Sequence, residues 1–187
     1  MKFNIKTLSQ EQYLIPIKIV MVYLVWKLFH FLATIPGTSL NLAWNSIVYH
    51  VGSAYALVTS MLLSLFGMKA TADGININLI ASYRQIWVQE HCLAIPAMVI
   101  FAGSVLLFKG RWLDKAVFLV QGLIGIILIN IIRLIFVSLA WVYLSAYYFK
   151  MHHSVIYVVA MYGFIFYMIV RWMNRMMKQQ NPDTSIK

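Results

Sequence analysis

Carboxylates are scarce in this 187-residue chain, which has five acids against fifteen lysines and arginines. The acids are Glu11, Asp73, Glu90, Asp114 and Asp183, and no two of them lie inside one apolar run. A carboxylate proton relay or a di-metal hydrolase needs such a pair, so both classes are disfavoured. The single cysteine, Cys92, excludes an internal disulfide, which leaves it a role as a thiol or as packing. Charged residues make up only 11% of the chain and hydrophobic ones 62%. That is too little polar surface to cover a soluble globule, whereas a bilayer asks for apolar runs of about 20 residues, and several are present. The chain reads as an integral membrane protein. Its net charge of +10 gathers at the ends of the apolar runs rather than on one polar face, which signals topology and argues against a nucleic-acid partner.

The candidate spans are 15–35, 47–66, 93–108, 116–132 and 154–170. The first is too long for a signal-peptide core and has no small-residue cleavage site, so it is expected to be retained. Pro36-Gly37-Thr38-Ser39 makes the turn between the first two. Residues 68–91 form the only long polar stretch, and the alternation Ile75-Asn76-Ile77-Asn78-Leu79, followed less cleanly by Ile86-Trp87-Val88-Gln89, predicts a small amphipathic hairpin outside the membrane. Ala116 to Phe149 would be roughly 50 Å long as one helix, too long for a single crossing. The expectation is a bend near Asn130 and Arg133, with 134–149 as a separate interfacial or re-entrant helix. The architecture is thus an all-α polytopic membrane protein of about five transmembrane helices, with that extra helix and the hairpin.

Two basic segments, Lys109-Gly110-Arg111 and the tail 171–187, belong on the cytoplasmic side. Cys92, at the other end of the span that reaches Lys109, is then extracytoplasmic, as are Arg133 and the pair His152-His153. Two spans before Cys92 would put Met1 outside as well, against the signal from Lys2 and Lys6.

Few residues here can do chemistry. Arg133 in an apolar run costs about 2.5 kcal/mol or more to insert, unless it snorkels to headgroups. Asn130, one turn earlier, can accept from its guanidinium or orient it. Cys92 is either a small buried hydrophobe or a nucleophile, and His152 or His153 is either interfacial or the base that would serve it. His91 and Glu90 read as rim residues, since neighbours in a helix point about 100° apart. His30 and His50 read as packing or interfacial residues. A metal site from His91, Cys92, His152 and His153 has no zinc-type spacing, so neither metal nor cofactor is expected.

A cysteine opening an outer-face span after a polar segment, a basic turn, the element Asn130-Ile131-Ile132-Arg133-Leu134, and the segment from His152-His153-Ser154 to Tyr162-Gly163 together resemble the exosortase/archaeosortase family. The likeness runs from about Ile86 to Trp172, in the manner of short bacterial forms found beside surface-polysaccharide systems. It implies a multispan transpeptidase or protease of the bacterial cytoplasmic membrane. Its partners would be membrane-anchored secreted proteins that carry a C-terminal sorting signal, made of a short motif, a transmembrane helix and a basic tail. It further implies Cys92 as nucleophile, Arg133 as oxyanion stabiliser and His153 as base, with Asn130 and His152 in support. In the family the histidine lies four residues before a Gly or Asn, an offset that Tyr157 holds here, which favours His153 over His152. One departure stands out: many members have Ser or Asn and then Gly after the cysteine, where this chain has Leu93-Ala94. A non-enzymatic subunit of a polysaccharide or export system, and a small transporter with an intramembrane arginine, are the competing functions.

Overall fold

The computed structural model describes the backbone of residues 5–107, 110–143 and 146–180, and the side chains of 17–80, 82–107, 110–143 and 157–175. In chain order come α1 (Ile5–Ala33), α2 (Ser39–Leu65), the strands β1 (Ala70–Asp73), β2 (Asn76–Leu79) and β3 (Arg84–Trp87), then α3 (Ile95–Leu107), α4 (Trp112–Tyr143) and α5 (Ala146–Gln180). The expected turn separates α1 from α2. Gly37 takes φ of +81° there, and the Thr38 hydroxyl accepts from the Asn41 N–H at 3.1 Å to cap α2.

The polar stretch is a three-stranded antiparallel sheet in the order β1-β2-β3, one strand more than the hairpin expected. Thr71 pairs with Asn78, and Ile77 with Ile86. Ile77 and Leu79, which alternate with the two asparagines of β2, are its buried face.

The bend expected after Ile132 does not occur. α4 is one helix of 32 residues, about 48 Å long, and it continues through Arg133 to Tyr143. Residues 134–149 are therefore no separate element; 134–143 end α4 and 146–149 begin α5. Asn130 and Arg133 interrupt the apolar pattern without interrupting the backbone, because their side chains find partners inside the protein. Among the described residues, α2 and α4 are long and apolar enough to cross a bilayer by length and composition. α3 is apolar but has only 13 residues.

α1 packs on α3, α3 on α4 and α5, and α4 on α5. Phe101, Phe118, Ile126, Met161, Ile165, Met168 and Trp172 form the core of this helical layer. Gly122 sets its closest approach: a Cβ there would lie 2.0 Å from the Phe101 ring, so α3 and α4 come together only because the side chain is missing. At one end of the layer, Lys115 Nζ donates to the Leu106 carbonyl at 3.1 Å and Lys18 Nζ to the Leu107 carbonyl at 3.4 Å, a cationic finish to the C-terminus of α3. At the other end sits a second core of Tyr55, Leu63, Ile77, Leu79, Val88, Cys92, Leu93, Ile131 and Leu134, drawn from α2, the sheet and upper α4.

Candidate functional site

Cys92 closes a short 3-10 turn, Glu90–Cys92, that links the sheet to α3. The ladder runs one residue past β3, with the Val88 N–H donating to the Ile75 carbonyl at 2.9 Å, so the turn starts from a fixed strand. Within it the Cys92 N–H donates to the Gln89 carbonyl at 2.8 Å. Ala94, two residues on, has φ of +55°, and this left-handed step aims the chain into α3. Cys92 and Leu93 belong to the core shared by α2 and the sheet, while Ala94 belongs to the helical core. The thiol therefore sits where the two cores meet.

Asn130 is fully buried, at 0% exposure. Its Nδ2 donates to the Cys92 carbonyl at 2.6 Å, and its Oδ1 accepts from the Tyr157 hydroxyl at 3.1 Å. The two bonds fix the orientation of the amide and tie α4 to both the cysteine turn and α5. In the sequence Asn130 was expected to serve Arg133. It holds the backbone of the cysteine, and the Arg133 guanidinium lies over the Tyr157 ring, Cζ 4.0 Å from its centroid, a favourable cation–π placement. Arg133 Nε and Nη1 are shielded from solvent. Tyr55 of α2 is buried in the same core as Cys92. Thiol, guanidinium, amide and phenol thus converge from the 3-10 turn, α4 and α5.

His152 and His153 lie in α5, His153 one turn before Tyr157; their side chains fall outside the described residues. His91 is exposed. Glu90 is more than a rim residue: its Oε1 is 2.5 Å from His30 Nε2, and His30 lies in ring contact with Trp26 and Trp44. This pair anchors the cysteine turn to α1 across 60 residues of sequence. The bond of Tyr157 to Asn130 and the His30–Glu90 pair are the contacts that sequence reasoning did not foresee. Tyr157 left one signal, an aromatic one turn after the histidine pair; the contact between His30 and Glu90 left none. Arg84 makes a similar tether from the sheet, donating to the Trp141 carbonyl and stacking on that ring with Cζ at 5.4 Å from its centroid. Among the described residues no three His, Cys, Asp or Glu side chains cluster as metal ligands would.

Chemically the site links a thiol and a permanent cation through two side chains: Asn130 holds the thiol's backbone, and Tyr157, bonded to Asn130, lies under the cation. Residues 13–173 match the model of a protein family described as transmembrane exosortase (Exosortase_EpsH). No curated protein and no solved structure matches the chain.

Proposed function

The chain belongs to the transmembrane exosortase family, and from that premise we propose that it is a membrane cysteine transpeptidase or protease that acts by acyl transfer through Cys92. Its substrates are secreted proteins held in the membrane by a C-terminal sorting signal, and it works in the bacterial cytoplasmic membrane with its site on the extracytoplasmic side.

In this mechanism His153 takes the proton from the Cys92 thiol, and the thiolate attacks a backbone carbonyl carbon just above the substrate's own helix. Negative charge gathers on that carbonyl oxygen, and Arg133 holds it. The carbon–nitrogen bond then breaks, His153 returns its proton to the leaving amine, and a thioester stays on Cys92 until water, an amine or a lipid-linked acceptor takes the acyl group. No cofactor is needed. A guanidinium suits the oxyanion role because it stays protonated and presents a fork of donors, so Arg133→Lys is a poor replacement.

The observation that carries the reading is the convergence on Tyr157. The Arg133 guanidinium lies over its ring, and its hydroxyl donates to the Asn130 amide that holds the Cys92 carbonyl, although 41 positions, 133 less 92, part Cys92 from Arg133 in the sequence. The Leu93-Ala94 departure is compatible with it. Ala94 adopts the positive φ that a glycine takes freely, so the backbone path after the cysteine is of the glycine type without the glycine.

The test is co-expression with a secreted reporter ending in a short motif, an apolar helix and a basic tail, encoded beside this chain. Wild type should shorten the reporter and form a hydroxylamine-sensitive adduct, and Cys92→Ala, Arg133→Ala and His153→Ala should not. Equal processing in all four would remove Cys92 chemistry from consideration.

A further inference from the structure

By composition α2 qualifies as a membrane span, but its contacts place it elsewhere. The vertical frame comes from α1 and α3. Lys18 of α1 reaches the Leu107 carbonyl at the basic end of α3, and His30 meets Glu90, just before the opposite end. The two helices are antiparallel and cover the same slab. The basic loop after α3 marks the cytoplasmic boundary, so the Lys18 end of α1 is inner and the His30 end outer.

Every stretch of α2 then meets the outer end. Near its start, Asn41 Nδ2 donates to the Ala33 carbonyl at 3.0 Å, and Trp44 packs against Trp26 and His30 with centroids 5.7 and 6.1 Å away. In its middle, Gly52 lies so close to the chain leading to Cys92 that a Cβ there would be 3.2 Å from the Val88 carbonyl oxygen, and Tyr55 shares a core with Cys92 and Ile131. Toward its end, Leu63 shares a core with Leu134 and with Ala70 of the sheet. A crossing helix would leave the level of Cys92 and pack along the length of α3. α2 stays at that level for its whole length, about 40 Å at about 1.5 Å per residue.

We infer that α2 does not cross the membrane but lies across the outer end of the other four helices, its free flank seated among the acyl chains of the outer leaflet. That flank carries Leu42, Ile47, Leu57, Met61 and Leu65, between 48% and 80% exposed. The occupant is lipid. An aqueous face would carry charged side chains, and α2 contains no Asp, Glu, Lys or Arg. The chain then crosses four times, as α1, α3, α4 and α5. Its N-terminus is cytoplasmic, so Lys2 and Lys6 join Lys109, Arg111 and the basic tail on one side, and the conflict that two spans before Cys92 would create disappears. This arrangement holds whether or not Cys92 is a nucleophile.

The test uses full-length protein in the Cys92→Ser background with one new cysteine at a time. On intact cells an impermeant maleimide should label Pro36→Cys and reach Lys6→Cys only after permeabilisation; the reverse pattern would mean that α1 and α2 both cross, and would overturn the inference. For the lipid contact, Leu42→Cys and Leu65→Cys carry nitroxide labels in phosphatidylglycerol–phosphatidylethanolamine nanodiscs, where oxygen and nickel chelate accessibilities report depth. The two positions are about 35 Å apart along the helix axis. Equal depth in one leaflet is expected. Depths in opposite leaflets would show a span, and nickel access at both would show an aqueous face; either overturns the proposal.

Discussion

Asn130→Ala is the sharpest probe of how the site is held. The substitution deletes a buried amide that bridges three elements through bonds of 2.6 and 3.1 Å, and it leaves the Cys92 carbonyl without that donor. Hydrogen bonds between helices in membrane proteins average about 0.6 kcal/mol and reach about 1.7. Two of them bring the loss to between about 1 and about 3 kcal/mol. At about 1.4 kcal/mol per factor of ten, the cysteine turn should open between about 5 and about 150 times more often. Cys92 is the only thiol in the chain and is 8% exposed, so iodoacetamide alkylation in nanodiscs, followed by intact mass, reads that opening directly. With closing faster than alkylation, the labelling rate follows the open population. Ser138→Ala is the control: that hydroxyl is equally buried but bonds only to the Leu134 carbonyl of its own helix, at 2.8 Å, and its loss should leave the Cys92 rate unchanged. If Asn130→Ala labels no faster than wild type, the amide does not secure the turn and the geometry assigned to the site is wrong.

Two further substitutions test the frame. Gly122→Ala drives a methyl group into the Phe101 ring and should cost about 1 to 3 kcal/mol as overpacking, seen as a lowered denaturation midpoint in detergent, with Phe101→Leu in the same chain restoring part of it. At Ala94, glycine should be nearly neutral: relief of a left-handed Cβ worth about 1 to 2 kcal/mol is offset by chain entropy of about 0.5 to 1 and a lost buried methyl of about 0.8. Ala94→Val, β-branched at positive φ, should destabilise by about 2 kcal/mol or more. The same denaturation series separates the two, and a valine no worse than alanine would refute the strain.

The apolar runs announce the helices because a bilayer demands contiguous hydrophobicity whatever the tertiary contacts. The Pro36–Ser39 turn and the alternation in β2 were legible for equally local reasons. α4 was misread at Asn130 and Arg133, since a polar pair in an apolar run looks the same whether it breaks a helix or is satisfied across it. The partners that decide between these, the Cys92 carbonyl and Tyr157, are 38 and 27 residues from Asn130 and leave no periodic trace. The level of α2 was illegible for a related reason. Composition says that a helix prefers lipid, but only its neighbours say whether it stands or lies.

Under the proposed function, the shortness of α3 makes bilayer thickness a variable of the reaction. Its 13 residues span about 20 Å, against a hydrocarbon core of about 30 Å, and Cys92 sits just past its outer end. With the Lys18 and Lys115 end held at the inner boundary, hydrophobic mismatch leaves the thiol on the order of 10 Å below the outer surface unless the membrane thins around it. A substrate of the proposed kind, with an ordinary transmembrane helix, would then have to unwind about two turns to bring a peptide bond to that depth. Selection would rest on how readily the outer end of the partner's helix frays, as well as on the residues that it carries there.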